Sequence, residues 1–114
     1  MIDSLFQAID SKNIEKFSSF LSENCVFRFG NMPEVVGNNN IREFVDSFFN
    51  SIQALSHEIL ESWSVPDAVI CHGKVTYVRK NGSKLTVPFA NVLKMDSDRI
   101  SNYSIFADTS ELYK

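Results

Sequence analysis

Residues 68–108 read AVICHGKVTYVRKNGSKLTVPFANVLKMDSDRISNYSIFAD, and this stretch decides the fold. Ala68 to Arg79 is rich in apolar and β-branched residues, as a long strand requires. Asn81-Gly82 is a two-residue hairpin signal, because both residues tolerate the positive φ of such turns. Leu85 to Met95 is the returning strand. Asp96-Ser97-Asp98 turns the chain again, and Arg99 to Ala107 makes a further strand. His57 to Val65 precedes them all, separated by the turn pair Pro66-Asp67. Four strands joined by consecutive hairpins predict an antiparallel meander.

Working towards the N-terminus, the period changes from two to 3.6. Ile2, Leu5, Phe6 and Ile9 form one helical face, with Asp3 or Ser4 as an early cap. Ser11-Lys12-Asn13 breaks that run. Asn13 is placed to cap a second helix bearing Ile14, Phe17, Phe20 and Leu21, which Ser22-Glu23-Asn24 closes. Cys25 to Phe29 reads as a short strand, Gly30 to Pro33 as a turn and Glu34 to Val36 as a brief strand. Gly37 and three Asn follow, one of them expected to cap the next helix. Ile41, Phe44, Val45, Phe48, Phe49 and Ile52 form its apolar face, with Arg42, Glu43, Asp46 and Asn50 opposite. Helices first and a sheet last is an α+β order. The expected architecture is a cystatin-like cone, three N-terminal helices packed on a curved, mainly antiparallel sheet, in one domain over residues 1–114. A curved sheet capped by helices leaves a cone-shaped cavity.

At 114 residues the chain can bury a core without staples. Its net charge of −3, with no basic cluster, argues against nucleic acid as a partner. No apolar run approaches the ~20 residues of a membrane span, and the N-terminus lacks the basic start and cleavage site of a secretory signal. These features predict a cytoplasmic protein with no membrane partner. Cys25 and Cys71 lie in apolar runs without CxxC spacing; buried thiols are the simpler reading, a disulfide or reactive thiol the other. His57, expected to be exposed, and His72 do not make a metal site by themselves. No glycine-rich phosphate loop is present, so no cofactor is expected. Ten Phe against one Trp and three Tyr either pack an aromatic core or line an apolar cavity.

Asp108 ends an apolar run. Apolar surroundings raise a carboxylate's pKa and suit it to act as a base. The same residue type, with Glu111 three positions on, also suits a cap for Thr109 to Tyr113. His72 is the second titrating candidate, either orienting Asp108 or serving as an ordinary core or interface histidine. Candidate ligand-binding residues are Phe17, Phe27, Phe48, Trp63, Asn91, Tyr103 and Phe106. Trp63 and Tyr103 combine apolar bulk with a hydrogen-bonding group. Asn91 needs a partner if buried, a ligand carbonyl or an interface bond. For Trp63 and Tyr103 the other reading is core or dimer-interface packing.

Gly37 followed by Ile41-Arg42-Glu43-Phe44, Gly82 in the hairpin, Pro88 through Val92, and Asp98-Arg99-Ile100 running to Phe106-Ala107-Asp108 carry a resemblance. Over its whole length the chain resembles the nuclear transport factor 2-like superfamily, and within it the SnoaL-like branch. The resemblance implies the cone fold. Its activities include isomerases, cyclases, hydrolases, dehydratases and plain binding modules. Ketosteroid isomerases of the superfamily place an aspartate where Phe29 stands and a tyrosine where Leu5 stands, so that mechanism is not expected. Limonene epoxide hydrolases use an Asp-Arg-Asp set, and the strand around His72, Lys74 and Thr76 lacks the Arg-x-Asp pair. SnoaL-like polyketide cyclases need chiefly one aspartate, and Asp108 matches it. The expectation is a protein that takes a small apolar molecule. It is either a cofactor-free isomerase, cyclase or lyase using Asp108, or a ligand-binding or structural domain. A homodimer through the sheet is expected, because the long strands leave a second, partly apolar face.

Overall fold

The computed structural model describes residues 1–113. Helix α1 (Ile2–Asp10) and helix α2 (Ile14–Ser19) lead into strand β1 (Leu21–Phe29). Strand β2 (Val35–Val36) and helix α3 (Asn38–Ser51) follow. Four long strands then run in succession: β3 (Ala54–Val65), β4 (Ala68–Val78), β5 (Lys84–Asp96) and β6 (Arg99–Ala107). A 3-10 helix at Ser110–Tyr113 ends the described chain. The six strands form one open, mixed sheet in the order β2-β1-β6-β5-β4-β3. All neighbours are antiparallel except β1 and β6. The expected α+β cone, three helices on a mainly antiparallel sheet, is the observed fold.

Local chemistry departs from expectation in four places. Asn13 caps α2 as expected, accepting from the Lys16 N–H at 3.1 Å. Neither Asp3 nor Ser4 caps α1, which starts directly after Met1. No Asn side chain caps α3: Gly37 takes that position at φ 97°, a left-handed region that favours glycine. Asn38 instead donates to the Ser18 and Leu21 carbonyls, and Asn40 to that of Val36. Helix α2 stops at Ser19, and Leu21 to Asn24 join β1, with a register shift between Leu21 and Val26. Tertiary pairing with β6 overrides the helical spacing of Phe20 and Leu21. The Asn81-Gly82 hairpin has a three-residue loop, closed by Arg79 N–H to Ser83 O and Gly82 N–H to Arg79 O, with Gly82 at φ 87°.

Strand alternation sorts the residues onto two faces. The inner face carries Leu55 and His57 from β3, Cys71, Val75 and Tyr77 from β4, Phe89, Asn91 and Leu93 from β5, and Tyr103 from β6. The helices cover it with Leu5, Phe6, Ile9, Phe17, Ile41, Val45 and Phe49. Burying each such Phe or Leu is worth about 1.5–3 kcal/mol, so aromatic burial by the helix layer is the main attraction holding the two layers together. No helix among the described residues is long and apolar enough to cross a membrane.

The sheet bends where β3 gains a residue between Ile59 and Glu61, opposite Gly73 and His72. A Cβ on Gly73 would stand 1.8 Å from the Glu58 carbonyl oxygen, so glycine is required for the two strands to meet there. Gly73→Ala is therefore expected to cost roughly 2 kcal/mol or more, since backbone and not a flexible side chain must yield. Urea unfolding checks this, and a midpoint indistinguishable from the parent's would show that the bend tolerates a methyl group.

Candidate functional site

The helix layer and the inner face enclose an apolar cavity of about 50 Å³. Eight of the ten Phe line it: Phe6, Phe17, Phe27, Phe29, Phe44, Phe48, Phe49 and Phe89. Their rings meet at tilted and edge-on angles: Phe29 and Phe48 at 5.1 Å, Phe27 and Tyr103 at 5.4 Å, Phe48 and Tyr77 at 5.8 Å. One water needs about 10–15 Å³ of such space, so the cavity admits a molecule of modest size. Phe44 and Phe48, one turn apart on α3, also border an outer groove with Met32, Val35 and Tyr113. Their half-buried rings stand between the cavity and solvent.

His57, Asn91, Tyr77 and Tyr103 bring polar atoms to this wall. Asp10 sits at the last residue of α1, four positions after Phe6 and so on the same helical face. Its Oδ2 accepts from the His57 backbone N–H at 2.9 Å, and its Oδ1 lies 2.6 Å from His57 Nδ1. A carboxylate oxygen only accepts, so Nδ1 carries the hydrogen, and in the neutral imidazole Nε2 then holds the lone pair. The His57 side chain is 10% exposed, and its ring lies 4.7 Å from that of Phe6 and 5.2 Å from that of Phe89. An imidazole held by a carboxylate on one nitrogen, in an aromatic wall, is the arrangement of an oriented general base. Burial pushes the Tyr103 hydroxyl's pKa upward, with smaller upward contributions from Cys71, Cys25 and Asp10. Burial raises Tyr77 likewise, with a further contribution from Tyr113. Both phenols therefore stay protonated and can donate.

The candidates chosen from sequence separate into two groups. Phe17, Phe27, Phe48, Asn91 and Tyr103 line the cavity. Trp63, His72 and Phe106 do not: the register puts them on the outer face, where Trp63 and Phe106 are 49% and 60% exposed. The His72 ring stacks on Trp63 at 5.7 Å, and its Nε2 lies 3.3 Å from Glu61 Oε1. Asp108 is exposed and outside the cavity wall. Its Oδ1 accepts from the Ser110 N–H at 3.0 Å, the capping arrangement, because the chain leaves β6 at Ala107, one residue short of Asp108. His72 and Asp108 thus stand on different parts of the surface from the cavity. His57, expected to be exposed, is the residue inside it. Its alternation with Leu55 and Ile59 was the available signal; nothing in the sequence near Asp10 announced its partner 47 positions away. Among the described residues no group of three His, Cys, Asp or Glu converges to hold a metal ion.

The SnoaL-like domain family matches residues 2–103. The chain belongs to the SnoaL-like domain family. Solved structures share its fold at low sequence identity. An NTF2-like protein of unknown function from Burkholderia pseudomallei K96243 superposes with a TM-score of 0.88 at 14% identity, covering 97% of this chain and 90% of that one. A protein described as a SnoaL-like polyketide cyclase from Jannaschia sp. CCS1 gives 0.84 at 14%, covering 98% and 85%. An LEH-like epoxide hydrolase from M. tuberculosis gives 0.83 at 11%, covering 98% and 83%. No curated protein matches the sequence. At these identities the neighbours establish the fold alone.

The buried core also holds a titration signal. Cys25 and Cys71 are both free and fully buried, and burial raises each thiol's pKa from 9.0 to about 11. The folded chain thus keeps protons that the unfolded chain releases first, so unfolding is favoured as pH rises. Their contribution to stability is whole below pH 9.0 and is lost as pH rises through about 11. The urea midpoint is expected to fall across that window; a flat midpoint would show that the thiols ionise as freely in the fold as outside it.

Proposed function

We propose that this SnoaL-like protein moves a proton on a small, largely apolar carbonyl compound, as an isomerase, cyclase or lyase does. The observation that carries the reading is the Asp10–His57 pair in the wall of an apolar cavity. His57 Nε2 takes a proton from the carbon beside the carbonyl. Negative charge develops on the carbonyl oxygen, and a Tyr103 hydroxyl kept protonated by burial is suited to stabilise it. Asp10 steadies the imidazolium that forms, and the proton returns to a different atom of the substrate. Asp108 is not given the role of base, because it is exposed and caps the terminal turn. The crowding of the cavity by Phe rings favours a second reading, a binding domain that performs no chemistry.

Deuterium exchange at the α-carbon of a small aryl ketone such as acetophenone, followed by NMR in heavy water, separates these assignments. The parent protein is expected to accelerate exchange. His57→Phe should reduce it by about 100-fold or more, the usual scale for a positioned base. Asp10→Asn should reduce it less, and Asp108→Asn should leave it unchanged. Loss of exchange in Asp108→Asn with retention in His57→Phe would return the role of base to Asp108. Absence of exchange in the parent would favour the binding domain.

A further inference from the structure

Asn91 sits in the middle of β5, paired with Cys71 on one side and Ile105 on the other. It is 2% exposed and lines the cavity. The buried polar residues among those described are Ser18 and Asn91. Ser18 is satisfied, donating from Oγ to the Glu15 carbonyl at 3.0 Å. Asn91 is not: its Oδ1 has no hydrogen-bond partner among the described residues. An orphaned buried amide oxygen destabilises the fold, and an apolar residue of similar size would fill the same place without that cost.

The sign of the unmet need is informative. An amide oxygen accepts, so the missing partner of Oδ1 is a donor; a ligand carbonyl would bond to the Nδ2 amide hydrogens instead. A charged ammonium would lose its hydration in this aromatic enclosure at a prohibitive cost. A neutral hydroxyl meets the need and leaves the rest of the molecule free to pack against the Phe rings. We infer that Asn91 is a specificity-determining residue whose Oδ1 accepts a hydrogen bond from a ligand hydroxyl, so that the cavity takes small, neutral, hydroxyl-bearing apolar molecules. As a statement about substrate it rests on the proposed proton transfer: one molecule then carries both an acidic C–H for His57 and a hydroxyl for Asn91.

The test is a binding cycle that involves no turnover. Dissociation constants for phenol, toluene and benzaldehyde are measured on the parent and on Asn91→Leu, which keeps the volume and removes the acceptor. The preference for phenol over toluene is expected to fall at least about fivefold in the variant, as deletion of one neutral hydrogen bond implies. The benzaldehyde-to-toluene ratio should stay level or rise, because an acceptor facing an acceptor has been removed. Phenol should also shift the Asn91 side-chain carbonyl 13C resonance of the parent, and toluene should not; this holds even if Asn91→Leu fails to fold. An unchanged phenol-to-toluene ratio, a parent that favours benzaldehyde over phenol, or failure of all three probes to bind would overturn the inference. The binding cycle involves no turnover: selective phenol binding by a parent that does not accelerate acetophenone exchange would overturn the base assignment alone, whereas exchange with no phenol preference would overturn the Asn91 assignment alone.

Discussion

Asp10 accepts two hydrogen bonds from a single residue of β3, one from the backbone and one from the imidazole of His57. Strand β3 is an edge of the sheet, so its outward N–H groups have no ladder partner. Asp10 satisfies one of them, and a hydrogen bond to a charged group is worth about 1.5–3 kcal/mol. The same contact fixes the end of α1 against the sheet. Lys12 reinforces it from the next turn, where its ammonium donates to the Ile52 and Gln53 carbonyls at 2.7 and 3.0 Å, just before β3 begins. The seam that closes the cone at this end is therefore also the seam that orients its imidazole. Structure and candidate chemistry depend on one carboxylate.

The cavity follows from shape. The sheet bends at the β3 bulge against Gly73, and helices packed on a bent sheet cannot touch it everywhere. Phe rings fill most of the space left over. Because the rings meet edge-on and tilted, they leave a remainder of about 50 Å³. Polar atoms in that remainder have few partners in the fold. In the reading proposed above, His57 Nε2 and Asn91 Oδ1 are the groups that meet a ligand, one as a base and one as an acceptor. The outer face shows the opposite pattern, with Trp63 and His72 stacked on each other in the open.

Much of the fold was legible because period alone sets it. The alternation from His57 to Ala107 and the helical stripe from Ile41 to Ile52 place the four long strands and the longest helix. Boundaries failed where tertiary pairing overrode local preference, as at Leu21 to Asn24. The cavity lining was legible in Phe17, Phe27, Phe48, Asn91 and Tyr103, which all lie on inner faces. The titrating groups were not. Asp108 looked like a wall residue because an apolar run precedes it, yet β6 ends one residue earlier. His72 and His57 both sit in alternating strands, and choosing between them required the face of each strand, which one β-bulge between Ile59 and Glu61 resets. Asp10 is invisible without the tertiary contact that gives it meaning.

The central claim is that Asp10 holds His57 with its hydrogen on Nδ1 and its lone pair on Nε2 towards the cavity. Long-range proton–nitrogen NMR of the neutral imidazole reads this directly, because protonated and unprotonated ring nitrogens resonate far apart. The account predicts a protonated Nδ1 and a bare Nε2 for His57, with that distinction lost in Asp10→Ala. A proton on Nε2 in the neutral parent protein would contradict it.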